Sequence, residues 1–209
     1  MPEFTNLSNA SAIVKLEAFF GMSPELLQRV GALVLLCGMV ENQIEHAIWA
    51  VTEEEPAGNR PSTDRQQISE RLATLGEKSA VHPDVMVQKA GQLVAAIGKD
   101  ITEYRNAIAH GWIMGPEVGG PSFVSNPTWF GELRRRKTVS VVTTDTLLDM
   151  AIECAETLWM TIARLTAYLA RPGAVPPEML GSMLDPLDRC RHKAAEVRHC
   201  VAMMNSEKY

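Results

Sequence analysis

The chain has 209 residues, 46% of them hydrophobic and only 6% aromatic, and carries a formal net charge of −5 at pH 7. That length supports one well-buried core plus an appendage, and an aromatic-poor composition favours helix packing over a large β-sandwich. The negative balance excludes a uniformly basic nucleic-acid binder, so phosphate would have to be met by local basic clusters.

The N-terminus, MPEFTNLSNAS, has neither a basic leader region nor a long apolar segment, so no secretory signal is expected. Residues 1–22 read as an irregular lead with room for one short helix over Ala12–Phe20. Ser23-Pro24-Glu25 is a helix start, with Ser at the N-cap and Pro in the first turn. Leu26, Val30, Leu33, Cys37, Val40, Ile44, Ala47 and Val51 follow in steps of three and four, which is one buried helical stripe. Its most apolar part, Gly31–Val40, is far short of the roughly 20 residues of a membrane span, so no membrane is expected as a partner.

The segment from Glu53 to Pro61 is a loop by its Pro, Gly and Asn content, and a shorter helix is predicted over Thr63–Lys78. After the His82-Pro83 break, Val87, Ala90, Val94, Ile97, Ile101, Tyr104 and Ile108 predict a third helix ending at His110-Gly111. Between about 112 and 143 the turn signals Gly115-Pro116, Gly119-Gly120-Pro121 and Asn126-Pro127 surround a β-branched run, Thr138–Val142. This predicts a short β-hairpin insert, with Trp112–Met114 as partner strand. Leu147, Ala151, Cys154, Leu158, Ile162, Leu165 and Leu169 predict a fourth long helix to Arg171. The fold class is therefore mainly α. A four-helix bundle occupies 23–171, the hairpin insert lies between helices three and four, and 172–209 is a linker and C-terminal tail with one or two short helices and a loose end.

Chemistry concentrates in Tyr104-Arg105-Asn106-Ala107-Ile108-Ala109-His110-Gly111. Tyr104 belongs to the inward stripe and Arg105 to its flank. Asn106 and His110, four apart, share the face pointing away from the core. Arg105 and His110 lie about 140° apart around an ideal helix. They converge only if the Arg bends across, the helix end tightens, or a second subunit brings its copy close. An imidazole moves protons near neutral pH, and a guanidinium offers a fork of donors to phosphate oxygens, so the set suits phosphoryl chemistry. A purely structural account pairs Arg105 with Glu41, Glu45 or Asp100 and leaves His110 as a cap.

Arg105-Asn106-Ala107-Ile108-Ala109-His110-Gly111 resembles the Arg-x4–6-His signature of the HEPN superfamily, including the polar residue after the Arg. The resemblance spans roughly Pro24–Arg171 and includes the motif's place at the end of a long bundle helix. It implies a homodimer through the motif helices and metal-independent endoribonuclease activity, with no cofactor. In that chemistry a 2′-hydroxyl attacks the adjacent phosphate and leaves a cyclic phosphate end. His110 would be the acid or base, Arg105 would stabilise the phosphorane, and Asn106 would orient the phosphate or the His. RNA is then the substrate, a toxin–antitoxin or phage-defence setting with an antitoxin or regulatory partner is the expected context, and the cytoplasm the expected compartment. The Tyr found two residues after the motif His in some toxin members is replaced here by Trp112.

Several further groups bear on this reading. Glu41 and Glu45, one turn apart, are placed to support Arg105. Arg134-Arg135-Arg136-Lys137 is a candidate RNA-binding run, and Trp129 and Phe130 beside it are candidates to stack on a base or to pack the hairpin down. Cys190, His192, His199 and Cys200 are zinc-type ligands at a spacing that does not suit a tetrahedral site. Two alternatives stand beside the nuclease: a silent HEPN-like module binding RNA, nucleotide or a protein partner, and a metal-dependent bundle enzyme using Glu41, Glu45, Glu153 and Glu156.

Overall fold

The computed structural model describes residues 10–117, 120–133, 135, 137–171, 173 and 175–206. The chain is mainly helical, with one small antiparallel sheet. In order come α1 (Ala12–Phe20), α2 (Pro24–Thr52), α3 (Ile68–Ala80), α4 (Val85–Ala109), β1 (Trp112–Glu117), β2 (Gly120–Ser125), β3 (Val139–Val142), α5 (Asp145–Ala170), α6 (Pro177–Gly181) and α7 (Leu184–Ser206).

Local chemistry sets the helix starts. Ser23, Asp84 and Thr144 each accept a backbone N–H of the first turn, at 3.2, 2.7 and 3.2 Å. α3 begins five residues later than the expected Thr63, because Thr63 is committed elsewhere. Its buried hydroxyl accepts the Trp49 indole N–H at 3.0 Å and donates to Glu45, which ties the preceding loop to α2. Gln67 and Glu70 then form a capping box.

Arg29 near the start of α2 pairs with Asp145 and Asp149 at the start of α5, so these two helices run side by side in the same direction. α3 folds back against α4. A Cβ on Gly98 would lie 2.4 Å from a Leu72 methyl, so the glycine leaves room for that side chain against α4. The principal core joins Leu33, Val40 and Ile44 of α2, Leu72 and Leu75 of α3, Ile97, Ile101 and Tyr104 of α4, and Leu148, Leu158 and Ile162 of α5.

Two expectations are corrected. The sheet has three strands in the order β1-β2-β3, so Trp112–Met114 pairs with 122–124 and not with the Val139–Val142 strand. Gly120-Pro121, read as turn residues, open the intervening strand, whose Ser122 and Phe123 are buried. The tail holds the short helix α6, but its main helix, α7, runs for 23 residues where only short helices were expected. Leu187, Cys190, Ala194 and Val197 of α7 join the principal core, against α4 and α5.

Near its end, α7 also completes the sheet. The Asn205 side chain accepts the Ser140 N–H at 2.8 Å and donates to the Ser140 carbonyl at 3.0 Å. One amide thereby does for edge strand β3 what a further strand would do. No single helix among the described residues is long and apolar enough to cross a membrane.

Candidate functional site

α4 carries the motif to the end of the molecule where β2, β3 and the end of α7 meet. Tyr104, buried in the core, anchors it there: its hydroxyl donates to the Val142 carbonyl at 3.1 Å. Burial also drives the phenol's pKa well above its ordinary value, so it stays a donor. His110 caps the helix, its backbone N–H bonding to Asn106 and Ile108 carbonyls. Gly111 then lets the chain turn directly into β1. A Cβ there would lie 2.3 Å from the Ala107 carbonyl oxygen and 2.8 Å from the Phe123 Cβ. The motif glycine is thus required by close approach, and it fixes where His110 sits.

One face of α4 lines a groove of about 780 Å³. Asp100, Glu103, Asn106 and His110 form one wall, the start of the 126–138 loop and its Lys137–Val139 return form another, and Arg198 to Asn205 of α7 form the third. The loop base is pinned: Thr138 donates to the Asn126 carbonyl at 2.9 Å, and the Asn126 amide reaches the Lys137 carbonyl at 3.4 Å. Asn106 and His110 therefore share a solvent-open groove, on the outward face that their spacing predicts.

Arg105 is not in that groove. Its guanidinium turns towards α2, forms an ion pair with Glu41, and is only 13% exposed. It also reaches the Cys37 thiol, whose pKa burial pushes up and Arg105 pulls back. Glu41 is thus the carboxylate that holds Arg105. Glu45 is not: it pairs with Arg71 at 3.5 Å and accepts from Thr63, so its expected support of Arg105 is replaced by an anchor for α3. The third of the expected supporting residues, Tyr104, holds the helix and not the charge. The structure brings His110 and Asn106 together and leaves Arg105 on an adjacent face.

In the basic run, Arg134 and Arg136 lie outside the described residues. Arg135 and Lys137 are exposed, and Lys137 lines the groove. Trp129 packs edge to face on Trp112 with ring centroids 5.1 Å apart, while Phe130 beside it is 92% exposed. Trp129 therefore packs the loop onto β1 at Trp112, two residues from His110, with about half of its surface open to solvent.

The metal-enzyme alternative is not supported by the arrangement of its carboxylates. Three of the four are committed to cations: Glu41 to Arg105, Glu45 to Arg71, and Glu153 to Lys193. No cluster of three or more His, Cys, Asp or Glu groups suited to a metal occurs among the described residues. In the tail, Cys190 is buried against Cys154 while His192 and His199 are exposed, which separates that thiol from both imidazoles.

Arg198 is the groove residue that the sequence reading missed. It reaches Asp100 at 3.5 Å across 98 positions of chain, and no local motif marks it. The available signal was the stripe Leu187, Cys190, Ala194, Val197 and Val201, which makes the tail a packed helix and puts Arg198 at the edge of its buried face.

No protein-family model, no curated protein and no solved structure matches this chain.

Proposed function

We propose that the chain is a HEPN-like, metal-independent endoribonuclease acting as a homodimer, with α2 to α5 as the four helices of the bundle. The observation that carries this reading is the groove at the end of α4, where His110 and Asn106 stand with Lys137 and Arg198. The groove offers one imidazole, four side-chain amides and two cations beside the carboxylates of Asp100 and Glu103, and the imidazole, Asn106 and the two cations suit a sugar–phosphate backbone. His110 takes the proton of the attacking 2′-hydroxyl or supplies one to the leaving 5′-oxygen, and water carries out the other of these two transfers. Asn106 holds a phosphate oxygen. The bond from phosphorus to the 5′-oxygen breaks as the 2′-oxygen bond forms, leaving a cyclic phosphate.

The second copy meets the motif helix at its uncovered last turn, where Ala109 and His110 are exposed. The apolar strip of α2, where Val34, Leu35, Gly38 and Met39 stand open, runs past Glu41 and gives that copy surface to bury. A cytoplasmic toxin or phage-defence role with an antitoxin or other regulator follows from the same reading, and the buried thiols Cys37, Cys154 and Cys190 suit a reducing compartment.

A second reading is favoured by one observation, the commitment of Arg105 to Glu41 away from the groove. A site without that guanidinium binds RNA but does not stabilise a phosphorane, and the chain is then a silent binding module.

One experiment separates the two. Purified protein is incubated with structured RNA, with and without a chelator, beside His110→Ala. Cleavage that survives chelation, yields cyclic phosphate ends and falls at least ~100-fold in the variant is expected. Binding without cleavage would move the assignment to the silent module, and loss of cleavage in chelator would overturn both. A solution mass of one chain, 23.0 kDa, would remove the dimer.

A further inference from the structure

We propose that the guanidinium serving the His110 groove is Arg198 of α7, which Asp100 of α4 holds in place of a phosphate until RNA enters. This deepens the RNA-binding reading above and rests on it. Three observations support it. First, Arg105 is turned away and ion-paired, whereas the Arg198 side chain lines the groove and is 62% exposed. Second, Arg198 stands on a fixed support. Its neighbour Val197 is in the core, and the far end of α7 is bound to β3 through Asn205. A cation on a packed helix is held for a ligand with little further loss of freedom.

Third, the hold on Arg198 is partial. Only its Nη1 reaches the Asp100 carboxylate, at 3.5 Å to each oxygen, which leaves the other edge of the fork for phosphate. Asp100 itself is 9% exposed. Burial raises its pKa and the charges of Arg198 and Lys99 pull it back, so those cations are what keep the carboxylate ionised. A phosphodiester entering the groove then competes with Asp100 for a cation already in place. Lys137 on the opposite wall supplies a second charge. The ligand class is the backbone of single-stranded RNA, met from both walls with His110 on the α4 wall.

The test uses a labelled 2′-O-methyl oligoribonucleotide, which cannot be cleaved by its own 2′-oxygen, and measures affinity across a salt titration. Arg198→Gln should weaken binding about tenfold and lower the slope of log affinity against log salt by about one. Arg198→Lys, which keeps the charge, should keep the slope. Asp100→Asn, which frees the guanidinium and removes a competing negative charge, should tighten binding. A merely structural Arg198 would alter stability without moving the slope. Wild-type slope and affinity in Arg198→Gln would overturn the assignment alone, and no binding by the wild-type chain would overturn the RNA reading with it.

Discussion

Arg105 and Glu41 form the motif's own ion pair, and its energetics decide what Arg105 is free to do. The Arg105 side chain is mostly buried while that of Glu41 is 36% exposed, so solvent screens one partner only in part. Removing the carboxylate strands a guanidinium whose Nε is already buried without an acceptor. Glu41→Gln should therefore lower stability by about 1–3 kcal/mol, less than for a fully buried pair. Urea denaturation checks this, and removing both charges in Glu41→Gln with Arg105→Met should recover part of the loss. An unchanged midpoint in the single variant would mean that Arg105 is not dependent on Glu41 and is free to turn to the groove.

At the scale of elements, α4 is held at both ends by polar bonds that its sequence only half announces. Asp84 accepts the Met86 N–H and the Tyr168 hydroxyl, at 2.7 and 2.6 Å, and the Tyr168 bond chiefly holds its carboxyl below the ordinary range. A lowered carboxyl pKa contributes stability above the unfolded value, and that contribution is lost as pH falls through the folded one. Asp84→Ala should cost about 1–2 kcal/mol at neutral pH, and the two proteins should converge in acid. Paired thermal melts across pH test the sign, and a gap that widened in acid would refute it. The apolar stripes of α2, α4 and α5 were legible because steps of three and four leave one solution for a long amphipathic segment. Strand β2 was not, because Gly120 and Pro121 carry turn chemistry and the residues after them bury only Ser122 and Phe123 among their neighbours. His110 and Asn106 were legible as a pair from their spacing alone. The direction of Arg105 was not, since the flank of a helix is decided by whichever neighbour supplies the carboxylate, and Glu41 and Glu45 offered it equally in sequence.

For the whole molecule, the tail changes the meaning of the site. Read from the sequence, 172–209 could cap the bundle, extend a dimer contact or dock a partner, and nothing ties it to α4 in particular. Folded, α7 is the third wall of the groove, and its buried side chains are small and sparse: Leu187, Cys190, Ala194 and Val197 between charged neighbours. A helix with so narrow an apolar face depends on its ends for docking, and Asn205 provides one of them. Asn205→Ala would remove both bonds to Ser140, a residue 2% exposed, and leave its N–H and carbonyl without that partner. A loss of about 1–3 kcal/mol is expected, with hydrogen-exchange protection falling together in β3 and the last turns of α7. If α7 and the sheet open as one unit, the groove exists only while the tail is docked, and RNA affinity should fall with that protection. If α7 amides instead exchange unchanged while β3 loosens, the tail is held by its core contacts alone, and the wall that carries Arg198 stands independently of the sheet.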